Sequence, residues 1–193
     1  MPWEKSFNES EVVDQVMQVF WNKGYTATSI TDLTTATGIK RGSLYNAFDG
    51  KHDLFLQALL RYGDGNRTKK LKMLESIESP IESIEMLFSY WLERALRDPD
   101  KKGCMLINTA VDFTHHESDV QNAVVEGCDE VVGFCEKQIT RGIELGEISN
   151  SVEARPTARS LFSALVGILV LGRGAFDATA LEQIANETLK LIR

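Results

Sequence analysis

Apolar residues recur at intervals of three and four positions along nearly the whole chain, and no segment shows sustained two-residue alternation. This spacing places apolar side chains on one face of an α-helix. The pattern therefore predicts an all-α protein of about nine helices. In the first helix, Val12, Val16 and Phe20 form an apolar stripe, and Gly24 is a candidate C-cap because glycine is common just past a helix end.

Two short helices are predicted after the first. Thr28 is expected to cap the second helix, Gly38 ends it, and the third covers 41–48. The apolar positions expected to face inward from this pair are Ile30, Leu33, Leu44 and Phe48. The six further helices are predicted at about 51–76, 81–96, 104–113, 118–145, 156–174 and 178–192.

Residues 28–51 read as a helix, a tight turn at Gly38, a second helix and a basic residue, Lys51, that opens the next helix. This is the outline of a helix-turn-helix, in which the second helix enters the DNA major groove. An amide can read a base edge, a phenol can bond to the sugar-phosphate, and a glycine allows close approach to phosphate. The candidate DNA-contacting residues are Thr28, Lys40, Arg41, Gly42, Ser43, Tyr45, Asn46 and Lys51.

The overall charge is neutral evidence for this interpretation. The formal net charge of −7 argues against binding a polyanion, whereas residues 40–51 carry three basic side chains and only Asp49 as an acid. A second basic cluster follows, comprising Arg67, Lys69, Lys70 and Lys72. The hydrophobic content of 43% and charged content of 25% are ordinary for a soluble globular protein.

The motif resembles the DNA-binding signature of the tetracycline-repressor (TetR) family of bacterial transcriptional regulators. The resemblance is carried by Thr28-Ser29-Ile30-x-Asp32-Leu33 followed by Ala36-x-Gly38-Ile39-x-Arg41-Gly42-Ser43-Leu44-Tyr45-x-x-Phe48-x-x-Lys51-x-x-Leu54. Ala47 departs from it, since a polar residue is often found there. The resemblance implies a helix-turn-helix DNA-binding domain at 1–50 and an effector-binding and dimerisation domain at 51–193.

The resemblance also implies a homodimer that reads a palindromic operator, with the interface on the last two helices. Apolar stripes on these helices offer Leu161, Leu165, Ile168, Leu169, Leu181 and Ile184, with Gly167 and Gly172 allowing close approach. The alternative is that these stripes pack only within the monomer.

The helices between the head and the interface are expected to hold a small, partly apolar effector. The candidate pocket residues are Phe88, Trp91, Leu92, Met105, Asn108, Phe113 and Phe134. The alternative for each of them is a plain core position. In the family mechanism, the ligand favours a state in which the two heads no longer match the spacing of the grooves.

The three cysteines form no CxxC pair and leave one unpaired in any disulfide scheme, which favours a reducing cytoplasm. Cys104 follows Lys101-Lys102-Gly103 at a helix start, where positive charge favours a thiolate, so it is a candidate thiol sensor. The alternative is a buried small residue, and Cys128 and Cys135 are interpreted as core. The N-terminus lacks a signal-peptide pattern, and the apolar stretch 161–172 is too short to span a bilayer.

Other chemistry is sparse in this sequence. His115 and His116 are adjacent, lack a third ligand and are interpreted as exposed turn residues. A Cys104–His115 nucleophile pair has no supporting motif, so we expect no catalytic residues, metal or cofactor. The sequence predicts a cytoplasmic, DNA-binding transcriptional repressor released by a small molecule. The rival hypothesis is a helical bundle that binds a hydrophobic ligand or a protein without DNA.

Overall fold

The computed structural model describes residues 7–193, apart from the side chain of Asn66. Within that range the chain is all-helical, with ten α-helices and no strand. The helices are α1 (Glu9–Lys23), α2 (Ile30–Thr37), α3 (Arg41–Ala47), α4 (Gly50–Gly63), α5 (Lys69–Glu75), α6 (Pro80–Arg97), α7 (Met105–Val111), α8 (Ser118–Glu144), α9 (Ala154–Leu171) and α10 (Ala178–Leu189). The predicted all-α class is confirmed.

The count differs from nine because the helix predicted at 51–76 has three parts. A π-helical segment, Asp64–Thr68, joins α4 to α5 without a break in the backbone. A π-segment contains wider turns than an α-helix, so it changes the direction in which the following side chains point. The apolar period alone does not reveal it.

Helices α1, α2 and α3 form a small N-terminal head on the first half of α4. The buried residues of the head include Val12, Val16, Phe20, Leu33, Leu44, Phe48, Leu54 and Phe55. The inward positions predicted from the sequence include Leu33, Leu44 and Phe48, and all three are buried. Ile30 is only half-buried.

The remaining helices form the body, in which the long helix α8 packs against α6 and α9, and α10 covers α9 and α6. Helix α9 is the one helix among residues 7–193 that is long and apolar enough to cross a membrane, with a mean hydropathy of 1.3. Its inner face is nevertheless packed against α6, α8 and α10, as expected of a core helix.

Most residues predicted for the dimer interface lie inside the monomer. Leu161, Leu165, Ile168, Leu169 and Leu181 are between 0% and 7% exposed, and only Ile184 is half-buried. The prediction is wrong for the first five, because a helix stripe that packs on α6 and α8 cannot also contact a partner. Gly167 has open space beside it, whereas Gly172 packs against Ala95 and Leu181.

Candidate nucleic-acid interface

The first helix of the helix-turn-helix motif begins with a capping box. Ser29 Oγ accepts from the Asp32 backbone N–H at 3.1 Å, and Asp32 accepts from the Ser29 backbone N–H at 2.8 Å. Lys23 Nζ also binds the Asp32 carboxylate. This lysine, with the Ser29 donors, holds the pKa of Asp32 well below its usual range. The arrangement ties α2 to the end of α1.

Thr28 does not have the role predicted for it. Its side chain is only 2% exposed, and its hydroxyl donates to the Gly24 carbonyl at 2.6 Å. Ser29 is the N-cap of α2, so the predicted Thr28 cap is wrong. The buried hydroxyl is also unavailable to a phosphate, because it already closes the turn between α1 and α2.

Gly38 makes the turn that gives the motif its name. Its φ of 68° is left-handed, a conformation that glycine adopts at little cost, and its N–H bonds to Thr34 O. Helix α3 packs on the core of the head through Leu44, which is 1% exposed, and through Phe48 just after the helix, which is 4% exposed. The opposite side of α3 is therefore left facing solvent.

The polar residues predicted on α3 lie together on that outer side. Lys40, Arg41, Gly42, Tyr45 and Asn46 are exposed, and Ser43 is half-buried. Tyr45 is 42% exposed, and the guanidinium carbon of Arg41 lies 5.4 Å from its ring centroid. One short helix thus presents cations, a phenol and an amide on a single surface.

Lys51 lies in the first turn of α4 and is half-buried. Its Nζ lies 4.3 Å from the centre of the Tyr25 ring, and partial burial lowers its pKa. Asp53, one turn into α4, accepts from the Asp49 backbone N–H at 3.0 Å and so closes the N-terminus of the helix. Lys51 is accordingly held in place by an aromatic ring from the head.

Contacts that the sequence did not indicate join the head to the body. Trp21 Nε1 on α1 donates to the Gly103 carbonyl at 3.1 Å, just before Cys104. The guanidinium of Arg94 lies within 5.3–5.7 Å of the ring centroids of Trp21, Tyr62 and Trp91. These aromatic residues come from three helices, so no local pattern could have grouped them.

A second head–body contact involves the histidines. His52 Nε2 on α4 lies 2.9 Å from the Asp119 carboxylate on α8 and lowers the pKa of that group. His116 stacks on Phe55 with centroids 5.3 Å apart, and burial lowers its pKa. His116 was predicted to be an exposed turn residue, which is wrong, because it is half-buried against two aromatic rings of the head, Tyr25 and Phe55.

The seven predicted effector residues do not surround one cavity. Trp91 lines an interior cavity of about 30 Å³, together with residues of α4, α7, α8 and α9. Met105 and Asn108 instead line an open cleft of about 340 Å³ between head and body, and Phe134 borders a surface groove. Phe88 is buried in the core, whereas Leu92 and Phe113 are half-buried beside it. The predicted set is wrong as a single pocket.

Cys104 lies at the wall of the interior cavity and is 5% exposed. It is the N-cap residue of α7 and lies beside Tyr62, whose pKa is raised by burial and by the nearby thiol. Cys135 is buried as predicted, and burial raises its pKa to about 12. Cys128 is half-buried, with its pKa raised mainly by burial.

No three His, Cys, Asp or Glu side chains in the described part of the chain are placed to ligate a common metal ion. The exposed surface of α3 instead has the groups that contact DNA: cations for phosphates, and amide and hydroxyl groups for base edges. Fold and surface together define a DNA-binding regulator of the helix-turn-helix class.

The chain belongs to the tetracycline-repressor family of bacterial transcriptional regulators. Residues 12–58 match the family model described as "Bacterial regulatory proteins, tetR family". Residues 80–188 match the model described as "Tetracyclin repressor-like, C-terminal domain". The two matches correspond to the head with the start of α4 and to the body.

Relatives of similar length support this assignment. The chain is 28% identical over 188 residues to the HTH-type transcriptional repressor ComR of Escherichia coli, covering 97% of this chain and 90% of that one. It is 27% identical over 190 residues to the uncharacterized regulator YezE of Bacillus subtilis, covering 97% of each. In fold it is similar to a cysteine-substituted variant of the TetR-family regulator CifR complexed with 26-bp operator DNA. That match has a TM-score of 0.83 and 24% identity, covering 96% of this chain and 97% of CifR.

Proposed function

We propose that the protein is a transcriptional repressor that binds a palindromic operator as a homodimer and is released by a small-molecule effector. The observation that carries the proposal is the clustering of Lys40, Arg41, Tyr45 and Asn46 on the exposed side of α3, opposite the buried Leu44. Stability of a helical hairpin requires the buried side only. The name of ComR and the operator complex of CifR support the same conclusion.

Within this proposal the residues have distinct tasks. Lys40, Arg41 and Lys51 contact phosphates, and Gly42 lets its backbone approach one closely. Tyr45 packs on the sugar-phosphate, and the amide of Asn46 reads a base edge, with adenine its best partner. Ser43, which is half-buried, adds a hydroxyl near the same bases.

The domain division follows the same logic. We assign residues 1–50 to DNA binding, of which 1–6 lie outside the described residues, and 51–193 to effector binding and dimerisation. The protein acts where the chromosome is, in the cytoplasm, and its role is binding rather than catalysis.

The dimer interface is placed on the outer faces of α9 and α10 rather than on their buried leucines. On α9 the outer face carries the small residues Ser160, Ser163 and Gly167 with Val166 beside them. Gly167 has no atom within 4 Å of the position that a Cβ would take. Small residues at this spacing let a second helix approach closely, and Ile184 on α10 remains partly available to it.

The effector is assigned to the interior cavity, because its walls are mostly apolar and come mainly from body helices. At about 30 Å³ the cavity holds about two water molecules, so a larger ligand must move its walls. Cys104 forms part of that wall, and the neighbouring Gly103 carbonyl holds Trp21 of the head. Opening the cavity therefore shifts the head, which supplies the coupling that release requires.

Cys104 is proposed as a second input at the same site, a thiol that reacts with electrophiles once the cavity opens. A Cys104→Ser variant should bind operator normally and resist release by an alkylating agent such as N-ethylmaleimide. Cys128→Ser is the matched control, because Cys128 is half-buried on α8 outside this cavity wall. Equal release of wild type and Cys104→Ser would remove Cys104 from the mechanism.

The proposed function is tested by selecting bound sequences from a random DNA pool at two salt concentrations. We expect a palindrome whose half-sites lie about 34–36 Å apart or a multiple of that distance. Affinity should fall roughly 10³-fold between about 50 and 200 mM salt if about six phosphates are contacted. No enrichment at either salt concentration would favour the rival hypothesis of a ligand-binding bundle without DNA.

A further inference from the structure

The π-helical segment between α4 and α5 turns one cation into the body. Arg67 belongs to the second basic cluster of the sequence, yet its side chain is only 16% exposed. It lies in the segment Asp64–Thr68 and lines the interior cavity. Single π-segments within α-helices occur frequently at functional sites.

Two glycines in helices provide the space for the guanidinium of Arg67. A Cβ on Gly127 of α8 would lie 2.9 Å from Nη1, and one on Gly63 of α4 would lie 3.0 Å from Nη2. Both distances are shorter than ordinary van der Waals contact. Because glycine inside a helix costs about 1 kcal/mol relative to alanine, the space comes at a cost in helix stability.

Only one of the three nitrogens of the Arg67 guanidinium has a hydrogen-bond partner among the described residues. Arg67 Nε donates to Glu130 Oε2, and within the described residues this is the one ion pair of Arg67. The two Nη groups have no hydrogen-bond acceptor among those residues. Glu130 is 33% exposed, so its carboxylate can turn into solvent without being buried unpaired.

The cavity beyond the guanidinium is apolar. Its walls are formed mainly by side chains of α6, α7, α8 and α9, namely Trp91, Leu106, Ile107, Val131, Phe162, Leu165 and Leu169. A planar guanidinium binds a carboxylate through two parallel N–H donors. A phosphate monoester carries nearly two charges and needs more donors than this single cation offers.

We propose that this cavity takes a monocarboxylate with a compact apolar body, whose carboxylate replaces Glu130 at Arg67. The inference rests on the proposed effector-released regulator and names the chemical class of its effector. Replacement keeps one negative charge beside Arg67, because Glu130 moves into water as the ligand enters. The apolar body of the ligand then occupies the space beside Cys104 and Trp91.

The test measures direct binding by calorimetry and thermal shift, without DNA. The probes are isobutyrate, benzoate and phenylacetate, each compared at millimolar concentration with its uncharged amide. We expect at least one carboxylate to bind and raise the melting temperature, and its amide to bind about tenfold more weakly or worse. Equal binding of acid and amide, or no binding by any acid, would overturn the inference.

Substitution of Arg67 and substitution of Glu130 should change the affinity for the carboxylate in opposite directions. Arg67→Met should weaken carboxylate binding about tenfold or more. Glu130→Gln should tighten it about two- to fivefold, because it removes the carboxylate that competes with the ligand for Arg67. Arg61→Met is the matched control, since Arg61 pairs with Asp14 on the outside of α4 and should leave binding unchanged. If Arg67→Met does not fold, Glu130→Gln still tests the inference, because weaker or unchanged carboxylate binding in that variant would contradict it.

Operator binding by the same samples without carboxylate reports on the proposed function alone. A protein that binds its operator but no carboxylate would contradict only the effector class. A protein that binds carboxylate but no DNA would contradict only the regulator proposal.

Discussion

Asn46 and Lys40 lie a few residues apart on the exposed side of the recognition helix, but the proposed contacts differ in kind. An amide that reads a base edge carries sequence information, whereas an ammonium on a phosphate does not. We predict that Asn46→Ala costs about 1–3 kcal/mol of operator affinity and relaxes specificity at one position in each half-site. Competition binding against single-base operator variants measures both effects.

Lys40→Ala should behave differently from Asn46→Ala. It should weaken binding to all sequences alike and reduce the slope of log K against log salt by about one for each phosphate lost. Lys137→Ala on α8 is the control, because this exposed lysine lies in the body beside Glu75. A variant of Lys40 with an unchanged salt slope would show that Lys40 does not contact phosphate.

At the residue scale, the sequence predicted the buried side of the head well, because apolar spacing on short helices leaves little choice for Leu33, Leu44 and Phe48. It could not choose between two adjacent hydroxyls for the cap of α2. Ser29 takes that place because Asp32 completes the capping box, while Thr28 turns inward to the Gly24 carbonyl. Both side chains have a hydroxyl that can cap a helix, and the direction of the backbone determines which of the two is the N-cap.

Helix α9 has two faces, and the residues that the sequence predicted for dimerisation lie on the buried one. Its leucines pack in the monomer, so substitution of Leu165, which is 2% exposed, would test core stability rather than assembly. We predict that Gly167→Arg yields a monomer, because it fills the open face of α9 with a charged side chain. Light scattering coupled to size-exclusion chromatography measures this directly.

Gly133→Arg on α8 is the matched control for Gly167→Arg. Both glycines lie inside helices, and neither has an atom within 4 Å of its Cβ position. Each substitution should slightly favour the helix. The control is expected to remain a dimer. A dimer that persists in Gly167→Arg would place the interface elsewhere on the body.

The π-segment Asp64–Thr68 was missed although the sequence predicted the helical region around it correctly. The apolar period continues through 51–76, so the sequence predicts one long helix there. A change of hydrogen-bond register over Asp64–Thr68 leaves composition and period almost unchanged. It nevertheless separates Arg67 from the other basic residues of its sequence cluster and places it at the cavity, which no local pattern could indicate.

At the scale of the whole molecule, the packing of the head on the body should depend on pH through His116. Burial against Phe55 and Tyr25 lowers the pKa of His116, partly opposed by Asp112, with His115 and His52 lowering it further. The unfolded chain therefore binds a proton near pH 6.5 that the folded protein does not. The free energy of unfolding should fall as the pH drops through this range.

Urea unfolding of wild type and His116→Phe near neutral pH and about one to two units below it tests this linkage. The phenyl ring keeps the stacking but cannot be protonated, so the variant should lose less stability on acidification. His115→Phe is the control because His115 is exposed. Asp119, whose pKa is lowered by His52, loses its contribution only as pH falls below the ordinary carboxylate range. Identical pH dependence in wild type and His116→Phe would contradict the account.

The class of protein and the proposed DNA-binding surface could be predicted from the sequence because the whole signature lies within residues 28–54. The proposed effector site could not, since its wall combines Tyr62, Arg67, Trp91 and Cys104 from separate parts of the chain. Their grouping depends on helix packing, whereas the recognition helix depends on local spacing. Cys104 was singled out by its position at a helix start, and the structure places it in that wall.

The central claim, that α3 reads the major groove of DNA, is tested most directly by methylation protection on the selected operator. Dimethyl sulfate modifies guanine N7 in the major groove and adenine N3 in the minor groove. We predict protection of guanine N7 in two blocks about 34–36 Å apart or a multiple of that distance. At the same protein concentration the protection should be weaker in Asn46→Ala and Tyr45→Ala, because both variants bind the operator less tightly. Protection confined to adenine N3, or unchanged in both variants, would contradict the account.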